Sequence, residues 1–233
     1  MKKSICVLLS LSASVSLAAK PASIADVDAA AAQLQAQIDT INTQVDTLKS
    51  IPAVAHPVGS CFGGGVVYYA SSDANAPAGQ RGLIAAPTDA LSSSTMAWQS
   101  GAATTVTPPL QKIYFSGEAN TNAIMSTIGI FPAAYAANSY TTDDGECAEC
   151  TSWYLPSQDE LATLYAQSTS SIALVGDESF WSLCSGSTPG PFSYWSSTQG
   201  TLNSQAFSVS FSSGIVITSP SSSNFRVRAV RAF

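Results

Sequence analysis

Ionisable side chains are scarce in this sequence. Lysine and arginine number 9, aspartate and glutamate 15, and there is one histidine, His56, among 233 residues. A lone histidine without a neighbouring nucleophile removes the usual base for serine or cysteine chemistry and the commonest metal ligand. The net charge of −6 and the pI near 4.5 exclude a general nucleic-acid binder, which needs a basic footprint. After the N-terminal stretch no apolar run approaches the roughly 20 residues that a membrane-spanning helix requires. Collagen triplets are absent, as are repeats with a period of about 20–50 residues. The one glycine run, Gly63-Gly64-Gly65, leads into a strand pattern rather than a helix, so it is not a phosphate cradle. These absences leave no expected catalytic residue, cofactor or metal.

What is present begins with the first nineteen positions. Lys2 and Lys3 precede a mostly apolar stretch, Ile5 to Leu17, and small residues follow at Ala18 and Ala19. That pattern is a secretory signal peptide over 1–19, too short to stay as a membrane anchor. The mature chain is therefore expected outside the cytoplasm. Cleavage removes Cys6 and leaves Cys61, Cys147, Cys150 and Cys184. An even count in an exported chain favours disulfides, and four cysteines allow three pairings. A zinc site made of all four thiolates is the alternative, but Cys61 and Cys184 do not form a second Cys-x-x-Cys pair.

Residues 20–51 carry the clearest periodicity. Ile24, Val27, Ala31, Leu34, Ile38, Ile41, Val45 and Leu48 are spaced 3, 4, 3, 4, 3, 4, 3. An apolar period of 3.5 is the seam of a supercoil, and isoleucine at both a (Ile38) and d (Ile41) favours three strands. The flanking positions are mostly Gln, Asn and Ala, so charge does little to select a foreign partner. The expectation is a homotrimeric coiled-coil stalk, interrupted at Pro52. A proline-punctuated linker, 52–60, follows.

From Cys61 to Phe233 the pattern is α+β. Gly65 to Ala70 and Arg81 to Ala86 read as strands. Glu118 to Ile128 and Pro132 to Asn138 read as helices. Ser157 and Glu160 form a capping box that opens a third helix, with Leu161, Leu164 and Tyr165 on its buried stripe. Phe207, Val209 and Phe211 alternate with serines, Ser212-Ser213-Gly214 is a hairpin loop, Ile215 to Thr218 returns, and Phe225 to Ala232 is the last strand. Trp153-Tyr154-Leu155 and Tyr194-Trp195 are read as core strands.

The motifs occur in a telling order. Gly63-Gly64-Gly65-Val66-Val67-Tyr68-Tyr69 is followed by Gly82-Leu83-Ile84-Ala85-Ala86-Pro87-Thr88-Asp89. Gly117, Asn120-Thr121 and Ile124 come next, then Trp153-Tyr154-Leu155-Pro156-Ser157-Gln158-Asp159-Glu160-Leu161. Tyr194-Trp195-Ser196-Ser197-Thr198 and Arg226-Val227-Arg228-Ala229-Val230-Arg231-Ala232-Phe233 complete the series. The series resembles the Lcl_C family, the C-terminal domain of the Legionella collagen-like adhesin, over nearly all of 61–233. The resemblance implies a C-type-lectin-like α+β domain, mostly antiparallel with short helices, trimerised on a stalk at a bacterial surface. It also implies adhesion, with sulfated glycosaminoglycans as the family ligand. The chain departs from the family in lacking collagen-like repeats and in being acidic.

Candidate binding residues follow from the scarcity of charge. Arg226, Arg228 and Arg231 form the one dense basic cluster, with Lys112 as an addition. Guanidinium forks match sulfate and carboxylate, so these four are the expected contacts to a host or environmental glycan, against the alternative of ion pairing with carboxylates. Asp159 and Glu160 are read as helix-capping acids. Asp143-Asp144-Gly145-Glu146 is read as a solvated acidic turn rather than a calcium site. Two other functions stay open: a structural envelope or secreted assembly protein without a glycan ligand, and a glycan hydrolase using Glu118 with Asp159 or Glu160.

Overall fold

The computed structural model describes residues 24–49, 56–73, 75–142, 147, 150–169, 181, 184 and 186–233. The signal-peptide reading and the acidic turn at 143–146 lie outside the described residues. The chain divides into two units, Met1–Pro52 and Ala53–Phe233. The described part of the first is one helix, α1 (Ile24–Lys49). Leu34, Ile38 and Ile41 of the heptad series are 59%, 42% and 39% exposed. Ala31 is also exposed.

The second unit contains two antiparallel sheets. Its first sheet has β1 (Cys61–Phe62), β2 (Gly65–Ala70), β3 (Gly82–Ala85) and β7 (Val230–Ala232) in the order β1-β2-β3-β7. The second is a meander of β4 (Ser193–Gln199), β5 (Gln205–Ser210) and β6 (Val216–Pro220). Among the described residues four helices accompany them: α2 (Ala90–Ser93), α3 (Gly117–Ser126), α4 (Pro132–Asn138) and α5 (Gln158–Ser168).

Both faces of the first sheet are covered, which explains the unbroken apolar runs of β2 and β3. Val67 and Ile84 face a core built on Trp98, Trp153, Trp195 and Phe131. Val66, Tyr68, Leu83 and Ala85 face a second core with Tyr154, Leu161, Leu164, Tyr194 and Val209. Two buried indoles tie backbone across the first core: Trp98 Nε1 donates to the Ser196 carbonyl and Trp195 Nε1 to the Met96 carbonyl, each at 2.8 Å. A bridge at Cys61–Cys184 and a short one at Cys147–Cys150 select one of the three possible pairings and use all four thiols, so the zinc alternative falls.

Phe225 to Ala232 is not one strand. Only Val230–Ala232 belongs to a sheet, and the residues before it form a strap that bonds in turn to several elements. Phe225 pairs with Met96 in both directions, and Arg226 bonds to Ser193 and Trp195. The Val227 and Ala229 carbonyls accept from Ala90 and Ala86, and Val230 pairs with Tyr154. Trp153-Tyr154-Leu155 is buried as expected, but its only ladder contact is that Tyr154–Val230 bridge. The serine alternation of β5 also has a different meaning. Ser208 is fully buried and bonded to the Ser219 hydroxyl at 3.1 Å, while Phe207 is half-buried, because the meander is packed on both sides.

Backbone contact between β2 and β3 leaves no room at Gly65, where a Cβ would overlap the Ala85 carbonyl oxygen. Gly65→Ala is expected to cost about 1–3 kcal/mol, the range for overpacking. Urea unfolding of the mature chain measures it, and an unchanged midpoint would contradict this packing.

Candidate functional site

Asp89 lies just before α2, 4% exposed. Its carboxylate receives two guanidinium groups from the strap. Arg228 approaches with Nε at 2.7 Å and Nη2 at 2.6 Å from Oδ1, and Arg226 Nη1 lies 2.9 Å from Oδ2. Arg226 and Arg228 sit two apart in extended chain, so both reach the same side and one acid serves both. The Tyr194 hydroxyl donates to Oδ2 at 3.1 Å. Burial first, and then the Asp89 charge, push the Tyr194 phenol up to about 12, against the pull of Arg228 and Arg226.

The two arginines differ in access. Arg228 is 1% exposed, and its Nη1 also donates to the Ala86 and Ser187 carbonyls at 2.9 and 3.2 Å. Arg226 keeps 21% of its side chain exposed and lies 3.7 Å over the Phe192 ring. Arg231 is not part of this group. It donates to the Thr151 and Gly63 carbonyls at 3.0 and 3.1 Å beside Trp153, and burial lowers its pKa. Lys112 is exposed and lies 4.4 Å over the Phe207 ring. The structure thus brings Arg226 and Arg228 together on Asp89 and leaves Arg231 and Lys112 elsewhere. Asp89, the hub, appeared in the sequence only as the end of the Gly82–Asp89 motif. The usable signal was arithmetic: three arginines crowded into six residues of an acidic chain need buried counterions.

A second buried acid sits at the start of α5. The Ser157 N–H donates to Glu160 Oε2 at 2.8 Å and the Gly117 N–H to Oε1 at 3.3 Å, while Ser157 Oγ accepts from the Glu160 N–H, completing the expected capping box. The Phe115 N–H is a third donor to the carboxylate. One carboxylate therefore caps two helix starts, those of α3 and α5. It also holds Phe115 in a left-handed conformation, φ +60°, which costs a non-glycine residue energy unless its surroundings fix it. Glu160 is fully buried. Burial raises its pKa to about 7, the three backbone donors oppose the rise, and Asp159 adds to it. Burial also raises Glu118. The phenols of Tyr68 and Tyr154 are pushed well up, by burial first and by the Glu160 charge next. With no exposed surface and both oxygens held by backbone donors, Glu160 is a structural acid rather than one presented to a polysaccharide. His56 packs against Phe62 and Phe233, with ring centroids 3.5 and 5.4 Å away.

One surface groove was missed in the sequence. It has a volume of about 360 Å³, lies between α3 and α4, and is lined by Ile124, Met125, Ile130, Phe131 and Tyr135. The apolar loop Ile128-Gly129-Ile130-Phe131 between two helical patterns was the available signal.

The family model of the Lcl C-terminal domain matches residues 86–231, a span that holds Asp89, the capping box and the strap. No curated protein matches the sequence. Among solved structures, a fimbrial protein from Bacteroides ovatus ATCC 8483 aligns with a TM-score of 0.50 at 15% identity, covering 77% of this chain. The present chain spans 45% of that protein.

Two stability predictions come from the buried acids. Asp89→Ala strands Arg228 without a counterion and is expected to cost about 3–5 kcal/mol, whereas Arg226→Ala, at a part-exposed pair, costs about 1 kcal/mol or less. Equal losses in urea unfolding would refute the hub. For Glu160, the folded pKa is raised above its ordinary value of 4.5. Its contribution is fully present below the unfolded pKa and is lost as pH rises through about 7. The loss is of the order of 3 kcal/mol. Glu160→Gln removes the titrating group, at the cost of one of the two acceptor oxygens, and should flatten this slope between about pH 4.5 and 7. A mutant curve parallel to wild type across that window would refute the assignment.

Proposed function

The chain belongs to the Lcl C-terminal domain family, and we propose that it is an exported, trimeric surface or secreted protein whose head binds glycans. The observation that carries the reading is the family match over 86–231, which spans most of the second unit. The likeness to a fimbrial protein is one of fold, and it fits a role at the cell surface. Two disulfides fit an extracytoplasmic location, where such bonds persist. We read the mixed α+β head as C-type-lectin-like, in line with the family.

The trimer rests on the heptad of α1. Ile38 and Ile41 are exposed on the single helix, and burying such a seam against two further copies removes that apolar surface from water. Presentation in threes would let weak single-site contacts add through multivalency. The anion-facing residues proposed are Arg226, Arg231 and Lys112; Arg228 is buried on Asp89 and is withdrawn from the set. An assembly role without a glycan ligand is the second reading, favoured by the ion pairing of Arg226 and Arg228 with Asp89.

Sedimentation equilibrium of the mature chain is expected to give a trimer, and Ile38→Asp with Ile41→Asp to release monomers, since charges buried in a seam are costly. A wild-type monomer would end the trimer reading. A glycan array read at two salt concentrations separates the two functions. Binding to sulfated sugars that falls with salt, and falls further in Arg226→Ala with Lys112→Ala, supports the adhesin. An empty array supports assembly.

A further inference from the structure

The three-stranded sheet ends in an edge that nothing described covers. β6 pairs with β5 on one side only, in the order β4-β5-β6. The Ser210 N–H donates to the Ile215 carbonyl at 3.0 Å, and the same register pairs Ser208 with Ile217 and Ala206 with Ser219. Antiparallel ladders alternate bonded and non-bonded pairs. The N–H and C=O of Val216 and Thr218, and the C=O of Pro220, therefore point away from β5. The Pro220 carbonyl also accepts from the Ser223 N–H at 2.9 Å in the turn that follows, and no described residue bonds to the outward groups of Val216 and Thr218. Ile215 and Ile217 beside them are 58% and 44% exposed.

Edges of this kind are normally guarded by lysine or other charges. Here not one Asp, Glu, Lys or Arg occurs from 179 to 225, a stretch that includes all of β4, β5 and β6. Pro220, at the end of the strand, is the one guard. The charge pattern also identifies the occupant. A chain of net charge −6 repels its own copies wherever acidic surfaces meet. This edge is a place where two copies can approach without like charges facing one another.

We propose that β6 pairs with β6 of a second copy, antiparallel and centred on Thr218. The register is self-complementary. Thr218 faces its own symmetry mate and exchanges two hydrogen bonds with it. Val216 faces Pro220 of the other copy, and its N–H donates at each end to the second lone pair of that carbonyl, which Ser223 already bonds within its own chain. Ile217 lies beside Ser219 of the other copy. Proline supplies no N–H in return, so the ladder stops there, and a two-fold contact of this kind closes instead of growing into a fibre. Such a ladder buries little surface and is weak alone. The pairing does not depend on the trimer; if the trimer reading of the preceding section holds, three edges per stalk multiply it.

The test uses sedimentation velocity of the full mature chain over a wide concentration range. The base species reports on the stalk, and a concentration-dependent step above it reports on the edge, so the two readings fail separately. Thr218→Pro removes the outward N–H while sparing the bonds to β5, and Thr218→Lys sets two cations opposite each other. Each is expected to weaken the upper step by about tenfold or more. Thr218→Cys places two Cα atoms about 5.5 Å apart, within disulfide reach. Mild oxidation should cross-link it far faster than Thr201→Cys, an exposed control outside the strand. The proposal is overturned if wild type shows no upper step at any soluble concentration. It is equally overturned if folded Thr218→Lys associates like wild type, or if the two cysteine variants cross-link at equal rates.

Discussion

One carboxylate carries two cations at the centre of the head. Asp89 holds Arg226 and Arg228, and those arginines belong to the strap whose backbone bonds to Ala86 just after β3, to Ala90 of α2 and to Ser193 and Trp195 of β4. Desolvating a guanidinium costs several kcal/mol unless its donors are taken up. Arg228 meets that requirement with Ala86 and Asp89 in one segment and Ser187 in another. The pair therefore fixes where three segments meet, and apolar packing of the two cores completes a geometry that the charges have already restricted.

Glu160 plays the corresponding part at the starts of α3 and α5. A capping box ordinarily concerns one helix. Here the acid also takes the N–H groups of Phe115 and Gly117, so the turn before α3 and the start of α5 are held by the same two oxygens. Gly117 is required by that proximity, because a Cβ there would collide with the carboxylate and with the Tyr154 ring. A carboxyl caught between full burial and three backbone donors is driven towards neutrality, and the phenols of Tyr68 and Tyr154 beside it are driven the same way.

Local signals in the sequence were legible. The heptad marked α1, the Ser157–Glu160 spacing marked α5, Pro132 marked the start of α4, and the β-branched and aromatic run marked β2. Each depends on residues within a few positions of one another, where propensity and capping act. The strap was not legible, because Phe225 to Ala232 has the composition of a strand while its partners come from five distant segments. The same holds for the arginines. Their clustering looked like a surface feature, but burial of Arg228 depends on Asp89, a residue no periodicity connects to it. The groove between α3 and α4 escaped because no periodicity shows that Ile124, Ile130 and Tyr135 share one wall.

The strap has one more consequence, for the order of events in folding. β3 takes its second neighbour, β7, from the far end of the unit, and Leu83 pairs with Ala232. Until that segment arrives, β3 is an uncovered edge, Asp89 is without its cations, and the Tyr194 and Tyr154 rings lack the chain that packs over them. Contacts so distant in sequence are slow to form. A head in which residues 225–232 have not yet docked is therefore an incomplete body, and its stability arrives late and together, with that segment acting as the closing stitch.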